Sequence, residues 1–155
     1  MFDASELEVK KFWIFQSNPE TYSNIFESCK DKNKKEVWPI PRYAKEVKKG
    51  HYCFVWICGE RAGIYSIGEV ITDVFPNDPE SEEYKANMEY MAENFDYSCY
   101  KNLATVRYTY PLPNYISRSD LSRLIPGHQI IKTRVGTVFD INEEDKKEIL
   151  GLIEK

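Results

Sequence analysis

The 155-residue sequence is poor in the residues that several common chemistries require. It has two histidines, His51 and His128, and its four cysteines (Cys29, Cys53, Cys58 and Cys99) include no Cys-x-x-Cys pair. Zinc sites and dithiol redox motifs depend on such spacing, so neither a structural metal nor a cofactor is expected. No glycine-rich phosphate loop is present, and nothing marks a nucleophile with its base or a paired acid and base. The expectation is therefore a protein without catalytic residues. No apolar run approaches the ~18 residues of a membrane span. Met1 is not followed by a basic segment with an apolar stretch, so the expected setting is a reducing cytoplasm without membrane attachment. Positive charge is not in excess either: 21 Lys and Arg against 25 Asp and Glu leave a net charge of -4. That balance argues against a broad, non-specific grip on nucleic acid, although not against a local basic patch.

Aromatic residues are plentiful. Eleven Tyr, eight Phe and three Trp make up 14% of the chain, a bias that suits β structure and ring-stacking surfaces. The length fits one domain, 1–155, with a sizeable core. Phe12-Trp13-Ile14-Phe15 reads as a buried strand that stops at Gln16-Ser17-Asn18-Pro19. Tyr22, Ile25 and Phe26 have helical spacing over 20–29, with Ser17 or Asn18 as N-cap. Two prolines make 37–41 extended, and 43–49 reads as a basic turn or short helix. Strands are expected over 51–57 and 64–73, joined by a tight glycine-containing turn. The acidic segment 80–100 reads as helix, long loop or both. Alternation over 103–110 predicts a strand with Val106, Tyr108 and Tyr110 on one face. A turn follows at 111–115, a short helix from Ser117, then strands over 130–133 and 135–141. Asn142 caps a last helix that carries Ile149, Leu150 and Ile153 on one side. This order predicts an α+β fold: a barrel-like sheet of five to six mostly antiparallel strands flanked by short helices.

Several segments together resemble one family. They are 12–22, Val37-Trp38, Val47-Lys48-Lys49-Gly50, the hairpin Ala62-Gly63-Ile64-Tyr65-Ser66-Ile67-Gly68-Glu69-Val70, and Gly136-Thr137-Val138-Phe139-Asp140-Ile141 followed by Glu143-Glu144. In this order and at these distances they resemble the EVE domain, a PUA-like relative of the YTH domain. Many members carry Gly-Asp where this chain has Gly50-His51, a turn substitution. The hairpin is similar to those of prokaryotic, restriction-associated members. The resemblance implies a β-barrel whose pocket takes a modified base flipped out of nucleic acid. It also implies a possible ATPase or nuclease subunit as partner, on the same chain or another, as in McrBC-type systems.

The same resemblance directs attention to particular residues. Trp38 matches a cage tryptophan of YTH domains; the alternative is a core Trp beneath the first helix. Ser17 and Asn18 lie where YTH relatives read a ring edge, or else cap a helix. Pro39 and Ile40 would offer backbone groups to the base. Trp56 is a pocket or core residue, since its strand neighbours are apolar. The second wall would come from the insert after the hairpin, the acidic segment 80–100, where Tyr97 and Tyr100 are favoured over Tyr90 and Phe95. For phosphate contact the candidates are Lys30, Lys32, Lys34, Lys35, Arg42, Lys45, Arg118 and Arg134. Burying one methyl against rings yields only about 0.8 kcal/mol, so polar groups must position the base. DNA is favoured over RNA as the partner, with a small-ligand or protein-interaction module as the remaining class.

Overall fold

A computed structural model describes residues 3–132 and 137–154. Its frame is one curled mixed sheet of seven strands: β1 (Phe12–Ser17), β2 (Lys35–Pro39), β3 (Tyr52–Ile57), β4 (Gly63–Val70), β5 (Phe75–Pro76), β6 (Asn102–Ser117) and β7 (Val138–Asp140). The order is β2-β6-β4-β3-β1-β7, with β5 added on β6. Only β1 and β3 run parallel. The sheet is a half-barrel, its path ending at β2 on one side and β7 on the other.

The central strands are buried on both sides, which is why they read as unbroken apolar runs. Along β1 the side chains alternate: Phe12 and Ile14 enter one core, Trp13 and Phe15 the other. The first core is covered by α1 (Ala4–Glu8), α4 (Arg118–Leu124), α5 (Gln129–Lys132) and α6 (Glu143–Glu154), through Leu7, Leu121, Ile130, Ile149 and Leu150. The second lies inside the curl and is plugged by Ile25 and Cys29 of α2 (Ile25–Lys30). A third, smaller cluster joins Val37, Phe75, Tyr97 and Leu103 beneath the insert.

Several expectations are corrected. The charged stretch ahead of β1, which carries no apolar periodicity of its own, contains α1, capped by Asp3, whose side chain accepts from the Ser5 N–H. The first expected helix begins only at Ile25. Asn18 does not cap it but closes a turn, its Oδ1 accepting from the Glu20 N–H at 2.9 Å. The insert holds both helix and loop: α3 (Glu82–Asn87), a 3-10 turn at Met88–Tyr90, then loop to Tyr100. In place of a turn at 111–115, β6 continues to Ser117. Ser66 pairs with Pro111 and Ile64 with Ile116, so the residues between bulge outward. Pro111 and Pro113 lack the N–H a ladder needs, and a bulge is where a strand tolerates them. A second register shift leaves Thr109 extra between Ile67–Tyr110 and Gly68–Tyr108. It turns Tyr110 to the α6 side, away from Val106 and Tyr108. Residues 129–132 are helix rather than strand. The expected strand over 135–141 is β7, with 135–136 outside the described residues. The last helix matches its reading, with Asn142 Oδ1 accepting from the Asp145 N–H at 2.8 Å.

His51 is more than a turn residue. Its Nδ1 accepts from the Trp13 indole N–H and from the Lys48 N–H, each at 3.1 Å. Burial, followed by the charges of Lys11 and Lys48, lowers its pKa from 6.5. The folded state thus binds fewer protons than the unfolded chain just below that value, so stability falls as pH drops through about 6.5. The urea midpoint should decline from pH 7 to pH 5.5, and His51→Gln should remove part of that slope. An unchanged slope in the variant would place the titration elsewhere.

Candidate functional site

At the end of β1 and β2 the curled sheet and the insert leave a cavity of about 230 Å³, lined by Gln16, Ser17, Asn18, Thr21, Trp38, Pro39, Cys58, Phe95, Tyr97 and Tyr100 among others. At ~30 Å³ per water, this space equals seven or eight waters, the scale of one nucleobase. β2 presents Trp38 and Glu36 to the interior of the curl. Trp38 is 5% exposed and packs 5.8 Å from the Phe15 ring. Its indole N–H donates to the Tyr108 hydroxyl at 2.9 Å, which fixes the ring plane. Trp38 is thus a core residue whose side chain also lines the cavity.

The insert supplies a second part of the lining. Phe95 sits at its centre, edge-on to Tyr97 at 4.8 Å and nearly parallel to Tyr100 at 6.1 Å. Asn77 anchors the loop, its amide donating to the carbonyls of Tyr97 at 2.9 Å and Tyr100 at 2.7 Å. The Tyr97 hydroxyl accepts from the Ala92 N–H and donates to the Val37 carbonyl at 2.7 Å. Since β2 is an edge strand, that bond occupies one of its outward carbonyls.

Glu36 was not anticipated. It is 3% exposed and lines the cavity. Its two carboxylate oxygens accept from the hydroxyls of Tyr22 and Tyr108, each at 2.5 Å. Tyr22 continues to Ser28, and Lys34 donates to the Ser28 hydroxyl at 3.1 Å. Burial first, then the Glu36 carboxylate, pushes the Tyr22 and Tyr108 phenols well above their ordinary range. Both remain donors, as an acceptor-only carboxylate requires.

Of the expected pocket residues, Ser17, Asn18, Trp38, Pro39, Tyr97 and Tyr100 come together around the cavity. Ile40 and Trp56 do not. Ile40 is fully buried, and its N–H is spent on the Asn102 carbonyl at 2.8 Å. Trp56 alternates onto the opposite face of the sheet, in the core with Phe12 and Ile64. Sequence reasoning also missed Gln16, Thr21, Tyr22, Val37, Cys58 and Thr137.

The basic candidates divide. Lys30, Lys32, Arg42 and Lys45 are exposed. Lys34 and Lys35 border a neighbouring groove together with Glu27, Asp31, Glu36, Glu89 and Glu93, and Lys35 lies over the Tyr90 ring at 5.3 Å. A phosphate there would face carboxylates as well as lysines. Arg118 is directed to the Trp56 ring at 5.9 Å, on the face away from the cavity. Arg134 lies outside the described residues.

A curled half-barrel with short helices on its outer face and a cavity at one end defines a β module of PUA-like type. The EVE domain profile matches residues 11–152, and the chain belongs to the EVE domain family. No curated protein matches the sequence. Among solved structures the chain is similar to human THYN1 in complex with 5-methylcytosine-containing DNA, at 14% identity over 94% of this chain and 99% of that one, TM-score 0.67. It is also similar to a Leishmania major protein at 15% identity over 96% and 97%, TM-score 0.66. The ZmASCH protein of Zymomonas mobilis follows at 12% identity over 92% and 96%, TM-score 0.60. At these identities the likeness establishes the fold.

Proposed function

We propose that this chain is a non-catalytic reader of a modified nucleobase in DNA, taken flipped from the duplex into the cavity. The observation that carries the reading is the pairing of Trp38 with the Phe95–Tyr97–Tyr100 wall around a space the size of one base. Ring faces hold any base, and stacking is worth about 1–3 kcal/mol. Flipping costs a few kcal/mol and must be repaid by polar contacts. Asn18 has its Oδ1 engaged by Glu20, which leaves its amide N–H groups for a ring edge. The complex of the similar THYN1 with 5-methylcytosine DNA supports DNA as the partner. In this reading Ser17 and Pro39 border the base, the exposed lysines meet the backbone, and the module serves a restriction system by delivering an ATPase or nuclease subunit to marked DNA.

The test is a binding screen over methylated, hydroxymethylated and unmodified cytosine and adenine, in duplex DNA and in RNA. Preference for one modified base in duplex DNA is expected. Preference for single-stranded RNA would make this an RNA reader, and equal binding throughout would leave a small-ligand or protein-interaction module.

Charge reversal separates the basic groups. Lys30→Glu with Lys32→Glu should weaken modified and unmodified DNA alike and flatten the salt dependence by about one unit per lysine. The same change at Lys34 and Lys35, whose groove already carries carboxylates, should have a smaller effect. Equal effects, or an effect confined to modified DNA, would overturn this assignment.

A further inference from the structure

We propose that Glu36 selects the base in the cavity by its exocyclic amine, admitting amino bases of the cytosine and adenine type and rejecting their carbonyl counterparts. The inference rests on the reader function above and names the class of base that such a reader takes.

A charged side chain inside an aromatic slot is costly, and it persists where hydrogen bonds hold it. Glu36 has two such bonds, from Tyr22 to one oxygen and from Tyr108 to the other. A carboxylate offers about four lone-pair sites, so each oxygen keeps acceptor capacity. The two phenols come from different parts of the chain: Tyr22 precedes α2, and Tyr108 is in β6, where it also takes the Trp38 indole N–H. The carboxylate is thereby held in place and tied, through Tyr108, to the ring that forms one cavity wall.

The chemistry of such an acceptor is one-sided. It receives the N–H of cytosine N4 or adenine N6, the pairing that carboxylates make with cytosine in groove readout. Thymine, uracil and guanine present a carbonyl oxygen there, and two acceptors repel. Thymine and 5-methylcytosine carry the same methyl group, so aromatic walls alone cannot separate them. Among the described cavity-lining residues Glu36 is the one ionisable carboxylate, and it makes that distinction.

The test uses the whole chain and labelled duplexes that differ at one position, with 5-methylcytosine, cytosine, thymine or 5-methyl-2-pyrimidinone opposite guanine. The thymine–guanine mismatch flips more easily than a matched pair, which biases the comparison against the proposal. The wild type should nevertheless bind 5-methylcytosine at least about tenfold tighter than thymine. The pyrimidinone, which keeps the methyl and lacks the amine, should bind about as weakly as thymine. Glu36→Gln supplies a donor beside an acceptor, so it should bring the 5-methylcytosine-to-thymine ratio towards one and leave the 5-methylcytosine-to-cytosine ratio unchanged.

Equal binding of pyrimidinone and 5-methylcytosine by the wild type would overturn the role of Glu36, whether or not the variant folds. A thymine ratio unmoved in a folded Glu36→Gln protein would do the same. Loss of the methyl preference in the wild type, by contrast, would remove the proposed function itself.

Discussion

Trp38→Ala is expected to erase the preference for a modified base and to destabilise the fold by about 3–5 kcal/mol, the range for deleting a large buried aromatic. Two contacts account for the second effect: the ring packs on Phe15, and its N–H holds the Tyr108 hydroxyl. A simple loss of binding would therefore be ambiguous, and Trp38→Phe resolves it. Phenylalanine keeps an aromatic face and much of the volume and loses the indole N–H. Its expected signature is a folded protein whose affinity for modified DNA drops roughly tenfold, within the 1–3 kcal/mol of base stacking. Its affinity for unmodified DNA should change little. If Trp38→Phe falls equally on both DNAs, Trp38 is a scaffold residue and the slot holds something else. Calorimetric melting beside fluorescence anisotropy makes the comparison.

Lys146→Met is expected to cost about 2–4 kcal/mol in urea unfolding at neutral pH, with no change in the ratio of modified to unmodified DNA bound. Lys146 is 2% exposed, although it belongs to a surface helix. Its ammonium donates to the backbone carbonyls of Glu8 at 2.6 Å and Lys10 at 2.8 Å, and it pairs with Glu143. It thus closes the C-terminal end of α1, where free carbonyls attract a cation. Methionine fills the volume and leaves two partly buried acceptors without the ammonium, each worth about 1–3 kcal/mol where water does not replace it. The Glu143 side chain is 67% exposed, so that pair adds little and Glu143→Gln should be nearly silent. A loss below about 1 kcal/mol in Lys146→Met would mean that water replaces the ammonium.

The elements that could be read from the residues are those whose pattern is local. Phe12 to Phe15, the β3–β4 hairpin and the face of α6 carry their periodicity in a few consecutive residues. The bulged course of β6 does not: Pro111 and Pro113 look like a stop. Only pairing with β4, more than 40 residues away, reveals that the strand resumes. The separate shift at Thr109 is what puts Tyr110 on the other face from Val106 and Tyr108.

The site divides in the same way. Trp38, Ser17, Asn18, Tyr97 and Tyr100 were reached through resemblance, which transmits positions along the chain. Glu36 was not, because an acidic residue beside two lysines in a polar loop reads as solvated surface. Its burial depends on phenols 14 and 72 residues distant. One local clue existed, since Glu36 and Trp38 are two apart in an extended segment and so share a side. For Trp56, indole in an apolar strand was compatible with either face, and only the alternation set by β1 and β4 decides between them.

The hydroxyl of Tyr97 links the sheet edge to the cavity. It occupies an outward carbonyl of the edge strand β2 while its ring lines the cavity. A lineage that rewrites this insert to accommodate a differently decorated base must also find a new seal for that border, or leave a strand open to pairing with a neighbouring molecule. Under the proposed function, retuning of selectivity is thus coupled to resistance to aggregation, and substitutions in 92–100 should be screened for both.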